Sequence, residues 1–248
     1  MLLSTPPKPI SQLWRPELTR FPRLHGLRRA FRLCIRMLAR ILIRALAVAE
    51  LRGVEHLPGG PVLYVTNHLG DADALLLLIA LPSAPEALGK IELLSEYPVL
   101  GRIMDWYGII WLHRGRVDRR ALDFGVRALH EGRSLIIAPE GRYSLSGGME
   151  RGGRGAAYLA LHARARVVPL ALTGTRNADV YSDLRRLRRP HLTLTAGEPY
   201  DLQTLRERPH ALDQATQQIM ESIARLLPPE YRGAYGVPAD KRTASPRR

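Results

Sequence analysis

Apolar positions along the chain fall into short unbroken runs that alternate with stretches of helical spacing. After a turn signal at Pro58-Gly59-Gly60-Pro61, residues 62–65 (VLYV) form a continuous apolar run that predicts a buried strand. Runs at 109–113, 134–138, 167–172 and 192–196 predict four more strands. Between and after them, apolar spacing predicts helices over 72–81, ending near Pro82, and over 99–106, 117–131, 156–163 and 212–227. Strands alternating with helices predict an α/β fold with a mostly parallel central sheet flanked by helices. In such a sheet, sites gather beyond the carboxyl ends of the strands.

Ahead of this pattern, residues 24–49 predict one long basic amphipathic helix with no proline and a single glycine. Arg28, Arg32, Arg36, Arg40 and Arg44 recur every four residues, with Leu27, Phe31, Cys34, Ile35, Leu38, Leu42 and Leu46 filling much of the rest. A four-residue step advances about 400°, so the arginines form a slowly turning stripe. That spacing excludes an ordinary transmembrane span, which needs about 20 mostly apolar residues. The stripe suits a helix lying in a bilayer interface with its guanidiniums toward anionic headgroups. It equally suits a helix packed on the domain with an arginine-rich solvent face. Phe31 is the only aromatic residue in the segment, so it offers no stacking platform for nucleic acid, and no nucleic-acid partner is expected.

Charge sharpens this picture. The 248 residues carry a formal charge of +14, which implies an anionic partner. Residues 20–52 hold nine arginines against Glu50, and residues from Arg232 onward hold five cations against Asp240. The body between them is nearly balanced. The expected organisation is a flexible segment over 1–23, the basic helix over 24–50, one domain over 51–231, and a basic flexible tail over 232–248. Cys34 is the only cysteine, so a disulfide-stapled scaffold is excluded. The start, MLLSTPPKPISQLW, has prolines where a signal peptide needs its apolar run. The expected location is the cytoplasmic face of a membrane, peripheral or monotopic.

Candidate chemistry sits at three strand exits. The first is Asn67-His68-Leu69-Gly70-Asp71-Ala72-Asp73. If His68 stays in the turn, Asp73 in the first helical turn can fold back onto one imidazole nitrogen and leave the other as a general base. The same residues also suit a plain helix start, with Asp71 as cap and Asp73 complementing the dipole. The second exit is Pro139-Glu140-Gly141-Arg142-Tyr143-Ser144, where an arginine on a glycine-containing turn suits an anion. The glycine-rich stretch 147–155 that follows lacks the Lys-Ser/Thr ending of a nucleotide P-loop and reads equally as a flexible loop. The third exit places Arg114 at the end of a strand, where a solvated side chain is the plainer reading. No Cys/His cluster has zinc spacing, and neither Ser144 nor Ser146 has the glycines of a nucleophile elbow.

Together the three exits resemble one family, the glycerolipid (lysophospholipid) acyltransferases, whose type member acylates 1-acyl-glycerol-3-phosphate. Asn67-His68-x4-Asp73 is similar to the first family motif, and Gly108-Ile109-Ile110-Trp111-Leu112-His113-Arg114 to the second. Pro139-Glu140-Gly141 with Ser144 resembles the third, and Val168-Pro169 the fourth. Lys90, Leu93, Pro98 and Gly101 also stand where the family often has a lysine, a proline and a glycine. The likeness spans about residues 50–200, in order. One departure stands out: after Glu-Gly the family usually has threonine then arginine, and here Arg142 comes first and Tyr143 follows.

The resemblance implies that His68 takes the proton from an acceptor hydroxyl while Asp73 orients the imidazole. The hydroxyl then attacks acyl-CoA or acyl-carrier protein. It further implies that Asn67, Lys90, Arg114, Glu140, Gly141, Arg142 and Ser144 hold the acceptor, a lysophospholipid converted to phosphatidic acid. No metal or cofactor is expected beyond the acyl donor. The expected partners are an anionic membrane surface, the lysophospholipid and the donor. Glycolipid, lyso-ornithine lipid or glycerol 3-phosphate acceptors, and a noncatalytic membrane-binding module, are the alternatives.

Overall fold

The computed structural model describes residues 10–236 apart from Leu13 and Arg116, so the first nine residues and most of the basic tail lie outside the described residues. Seven strands form one sheet: β1 (Val48–Arg52), β2 (Val62–Thr66), β3 (Glu86–Lys90), β4 (Ile110–Leu112), β5 (Leu135–Ile137), β6 (Arg166–Thr173) and β7 (His191–Ala196). Their order is β1-β7-β6-β2-β5-β3-β4, and every neighbouring pair is parallel except β6 with β7. The fold is α/β with a mostly parallel sheet, as the alternation predicts. All five residues of β2 are buried, consistent with a central strand covered on both faces.

Helices α5 (Arg119–His130), α6 (Gly155–Ala163) and α8 (Ala211–Leu226) close one core around Leu63, Val65, Leu159, Ile219 and Ile223. Helices α1 (Gly26–Leu46), α2 (Ala72–Ala80) and α7 (Asn177–Arg185) close the other around Ile43, Tyr64, Leu76, Val180 and Leu194. The short α3 (Leu93–Glu96) and α4 (Pro98–Tyr107) lead into β4, where Trp111, Tyr107 and Ile109 pack with Phe31 and Ile35 of α1.

Two strands and a helix escape the apolar pattern. β1 is an edge strand whose residues alternate between exposed and half-buried, so its sequence Val-Ala-Glu-Leu-Arg carries charges on the outer side. It begins at Val48, which shortens the predicted 24–50 helix: pairing of Val48 N–H with the Pro190 carbonyl (2.9 Å) takes over where α1 ends. β3 reads as polar because it opens on Glu86, yet Glu86 is fully buried. α7 is largely polar, and Val180 is its buried apolar anchor.

The arginine stripe of α1 faces the protein over much of its length. The Arg28 Nε–H donates to the Trp106 carbonyl (3.0 Å) and the Arg32 Nε–H to the Tyr107 carbonyl (2.7 Å), at the C-terminus of α4. Arg36 donates to the Leu78, Leu81 and Pro82 carbonyls (3.1, 2.6 and 3.2 Å), at the C-terminus of α2. Helix ends leave orphan carbonyls at the negative pole of the dipole, and these guanidiniums satisfy them. Arg32 also makes a bidentate pair with Glu86 (3.0 and 2.9 Å), which Arg133 approaches at 3.5 Å. The outward face of α1 is consequently apolar, with Leu33 62%, Met37 56% and Ile41 61% exposed. This corrects the expectation of an outward arginine stripe for Arg28, Arg32 and Arg36, which a buried carboxylate and two helix ends draw inward, while Arg40 and Arg44 stay exposed.

The terminal segments are also corrected where they are described. Trp14 packs at a tilt on His113 (centroids 4.4 Å), and Phe21 packs on Phe124 (5.6 Å) and beneath the guanidiniums of Arg127 and Arg133 (4.1 and 4.7 Å). Residues 14–22 thus form a strap held by aromatic and cationic contacts. At the other end, Met149 N–H donates to the Tyr231 carbonyl (2.9 Å) and Ala234 N–H to the Met149 carbonyl (2.8 Å), so residues 231–235 pair with the glycine-rich loop.

Removing one member of a buried ion pair strands its partner. Glu86→Ala is expected to lower unfolding free energy by ~3–5 kcal/mol, read as a shifted urea midpoint. An unchanged midpoint would show that solvent reaches Arg32.

Candidate active site

The exit of β2 places His68 in the turn, with Asp73 in the first turn of α2. Asp73 Oδ2 accepts from His68 Nδ1 (2.7 Å), Leu69 N–H (2.8 Å) and Gly70 N–H (3.1 Å). Asp73 is 1% exposed, whereas the His68 side chain is 31% exposed. A carboxylate on Nδ1 fixes the proton there and leaves Nε2 as the basic nitrogen. The turn fits because Gly70 lacks a Cβ: one placed there would lie 2.3 Å from the Thr175 carbonyl oxygen and 2.3 Å from Asn177 Oδ1.

A second His-x4-Asp pair shows what spacing alone cannot discriminate. His113 Nδ1 lies 2.8 Å from Asp118 Oδ2, as His68 does from Asp73. His113 is 1% exposed, and its Nε2 accepts the Arg15 backbone N–H (2.9 Å). That pair is closed, and Asp118 also caps α5 by accepting from Ala121 N–H (3.2 Å).

The second exit folds onto the first. Buried Glu140 accepts from His68 N–H (3.2 Å) and Glu150 N–H (2.7 Å), while Ser144 N–H donates to the His68 carbonyl (2.8 Å). The Ser144 hydroxyl donates to the Gly148 carbonyl (2.5 Å), and Gly141 makes the turn at φ +72°. Asn67 is buried and exchanges two hydrogen bonds with the Leu172 backbone (2.8 and 2.7 Å), extending the β2·β6 pairing by one residue. Asn67, Glu140 and Ser144, expected to hold the acceptor, also hydrogen-bond the protein's own backbone here, because buried amide, carboxylate and hydroxyl groups must find partners.

The cations sit near carboxylates. Arg142 Nε–H donates to Glu150 (2.6 Å), Lys90 pairs with Glu96, and Arg114 Nε lies 3.7 Å from Glu92. Lys90 and Arg114 stand at the carboxyl ends of β3 and β4, the same sheet edge as His68.

Tyr143, the departure from the family motif, and Asp71 meet in a cluster beside His68 that local sequence does not announce. Tyr143 meets the His68 ring edge-on (centroids 4.3 Å, 71°) and its hydroxyl donates to Asp71 Oδ1 (2.7 Å). Asp71 Oδ2 accepts from the Tyr181 hydroxyl (2.7 Å) and Asn177 Nδ2 (3.0 Å). Asp71, expected as a helix cap, makes no such cap. Tyr181 and Asn177 come from α7, more than 100 residues away, and no local pattern announces them. Burial, and then the hydrogen bond to Asp71, pushes the Tyr143 phenol well above its ordinary value, so it stays a donor.

A mostly parallel α/β sheet with an Asp-oriented, half-open histidine at a central strand exit defines an enzyme-like site. Residues 48–173 match the Acyltransferase family, and the chain belongs to that family. It is 31% identical over 134 residues to the 1-acyl-sn-glycerol-3-phosphate acyltransferase of Limnanthes alba, covering 51% of this chain and 45% of that one. It is 33% identical over 113 residues to the human 1-acyl-sn-glycerol-3-phosphate acyltransferase beta, covering 44% of this chain and 40% of that one. It is also 33% identical over 93 residues to the lyso-ornithine lipid O-acyltransferase of Pseudomonas aeruginosa, covering 37% of this chain and 35% of that one. The chain thus spans less than half the length of these curated relatives. The crystal structure of the 1-acyl-sn-glycerophosphate (LPA) acyltransferase PlsC from Thermotoga maritima shares the fold: TM-score 0.60, 18% identity, covering 80% of this chain and 81% of that one.

Gly70→Ala forces a methyl against a backbone carbonyl, and overpacking of this kind typically costs ~1–3 kcal/mol. The variant is expected to melt earlier than wild type by differential scanning calorimetry. Wild-type melting would mean that the Thr175–Asn177 turn yields.

Proposed function

We propose that the protein is an O-acyltransferase that moves a fatty acyl chain from a thioester, acyl-CoA or acyl-carrier protein, to the hydroxyl of a lysolipid at a membrane surface. The observation that carries this reading is the His68–Asp73 pair at 2.7 Å, with one imidazole edge open, in a chain of the acyltransferase family. His68 Nε2 takes the proton from the acceptor hydroxyl as its oxygen attacks the thioester carbonyl. The imidazolium, stabilised by ionised Asp73, returns that proton to the departing thiolate, giving an ester and a free thiol. The relatives' names make 1-acyl-glycerol-3-phosphate, yielding phosphatidic acid, the reference acceptor for phospholipid biosynthesis.

A lysolipid resides in a bilayer, and the outer face of α1 supplies the contact. Leu27, Leu33, Met37, Leu38 and Ile41 are exposed on it. Phe31 touches Trp106 (centroids 5.7 Å), which joins this face to exposed Val99, Leu100 and Ile103 of α4. Arg29, Arg40 and Arg44 are exposed along one flank, within reach of headgroups. Among the described residues no helix is long and apolar enough to cross a membrane, so the reading is interfacial seating of α1.

Thiol release from acyl-CoA in detergent, with a lysolipid acceptor, tests the chemistry. His68→Ala is expected to lower acceptor-dependent release by about 10²–10⁴-fold. Equal release from both proteins would refute His68 as base. For the membrane contact, Leu33→Glu with Ile41→Glu is expected to abolish most cosedimentation with phosphatidylglycerol-containing vesicles. Arg40→Gln with Arg44→Gln should remove chiefly the salt-sensitive part of binding. Loss only in the arginine variant would reverse the assigned face.

A further inference from the structure

The acceptor's head group must lie near the hydroxyl that His68 deprotonates, so the side chains around that imidazole select it. Tyr143 covers one edge of His68, and Asp71 lies one phenol away. Among the described residues the hydrogen-bond partners on the Asp71 carboxylate are Tyr143, Tyr181 and Asn177 and no cation, so its negative charge is oriented but not neutralised by them. Tyr143 and Tyr181 are 40% and 46% exposed, so their rings remain open to a ligand. A phenol that donates to a carboxylate presents a more electron-rich face, and such faces attract ammonium groups.

The cations nearby point the same way. A phosphate monoester carries up to two negative charges and is best held by guanidinium or ammonium groups. Arg142, Arg114 and Lys90 instead face Glu150, Glu92 and Glu96. The position next in line to touch the head group beside His68 is a tyrosine tied to an acid.

We infer that Asp71, Tyr143 and Tyr181 form a cation-accepting wall beside His68, and that the acceptor is a lysolipid carrying an ammonium group near its acylated hydroxyl. The ammonium sits against the tyrosine faces and the Asp71 carboxylate, while the hydroxyl points at His68 Nε2. This inference rests on the acyl-transfer reading and names the substrate class for the same site. A bare phosphate monoester is disfavoured there by repulsion from Asp71.

The test compares kcat/KM for two acceptors in detergent, with thiol release from acyl-CoA as the readout. One acceptor is a lyso-ornithine lipid, which presents an ammonium group, and the other is 1-acyl-glycerol-3-phosphate. The wild type is expected to favour the amine-bearing acceptor at least tenfold. Asp71→Asn retains an acceptor for the two phenols but removes the charge, and it should shrink that ratio at least tenfold. Tyr143→Arg should shrink it as well, by placing a guanidinium beside Asp71. A wild type that favours the phosphate acceptor overturns the inference, and so does a ratio that stays the same in Asp71→Asn. Release that needs neither acceptor overturns the transfer reading itself, and acceptor-dependent release that His68→Ala leaves intact overturns His68 as its base and with it the site to which the inference is tied. Loss of release in His68→Ala combined with an unfavourable ratio overturns only the head-group assignment.

Discussion

Two carboxylates buried at the sheet edge, Asp73 and Glu140, hold the candidate site in place. A buried carboxylate demands donors, and each of these finds them in loop backbone that would otherwise be unpaired. Asp73 gathers the amides of Leu69 and Gly70 with the imidazole, and Glu140 gathers the amides of His68 and Glu150. Two loops remote in the chain become one rigid floor as a result. His68 is thereby fixed from both sides: its ring is held by one acid and its main chain by the other. The reactive geometry is a by-product of satisfying buried charge.

The same logic operates at the opposite edge of the sheet, with guanidiniums in place of backbone amides as the donors. Glu86 is the buried charge there, and Arg32 and Arg133 are its donors. Arg28, Arg32 and Arg36 also close the carbonyl ends of α4 and α2. Electrostatics therefore joins the burial of Ala39 and Ile43 in setting which face of α1 turns inward. Leu27, Leu33, Met37, Leu38 and Ile41 are left outside, where water is a poor neighbour for them.

Much of this was legible in one dimension. Central strands covered on both faces read as apolar runs, so β2, β5 and β6 were plain, as were the helices between them. β1 and β3 were hidden because an edge strand alternates and because Glu86 looks like a surface residue until its arginines are seen. The His68–Asp73 contact followed from a turn placed before a helix. However, the identical spacing at His113–Asp118 ends in a sealed pair, and only burial separates the two. The backbone bonds of Asn67 to Leu172 and of Glu140 to His68 were not legible, since a hydrogen bond to distant backbone leaves no mark in local sequence. Asp71 illustrates the limit most sharply: it reads as a cap until α7, more than 100 residues on, brings it a tyrosine and an amide.

The guanidinium bonds beneath α1 have a mechanical consequence. A helix fastened along its length to the ends of two others and to a strand cannot swing on a hinge. If α1 seats in a leaflet, it acts as a keel rather than a tether, and the height of His68 above the lipid is set by the fold. The substrate must then do the travelling: the lysolipid rises to a stationary base, and the esterified product slips back into the same monolayer.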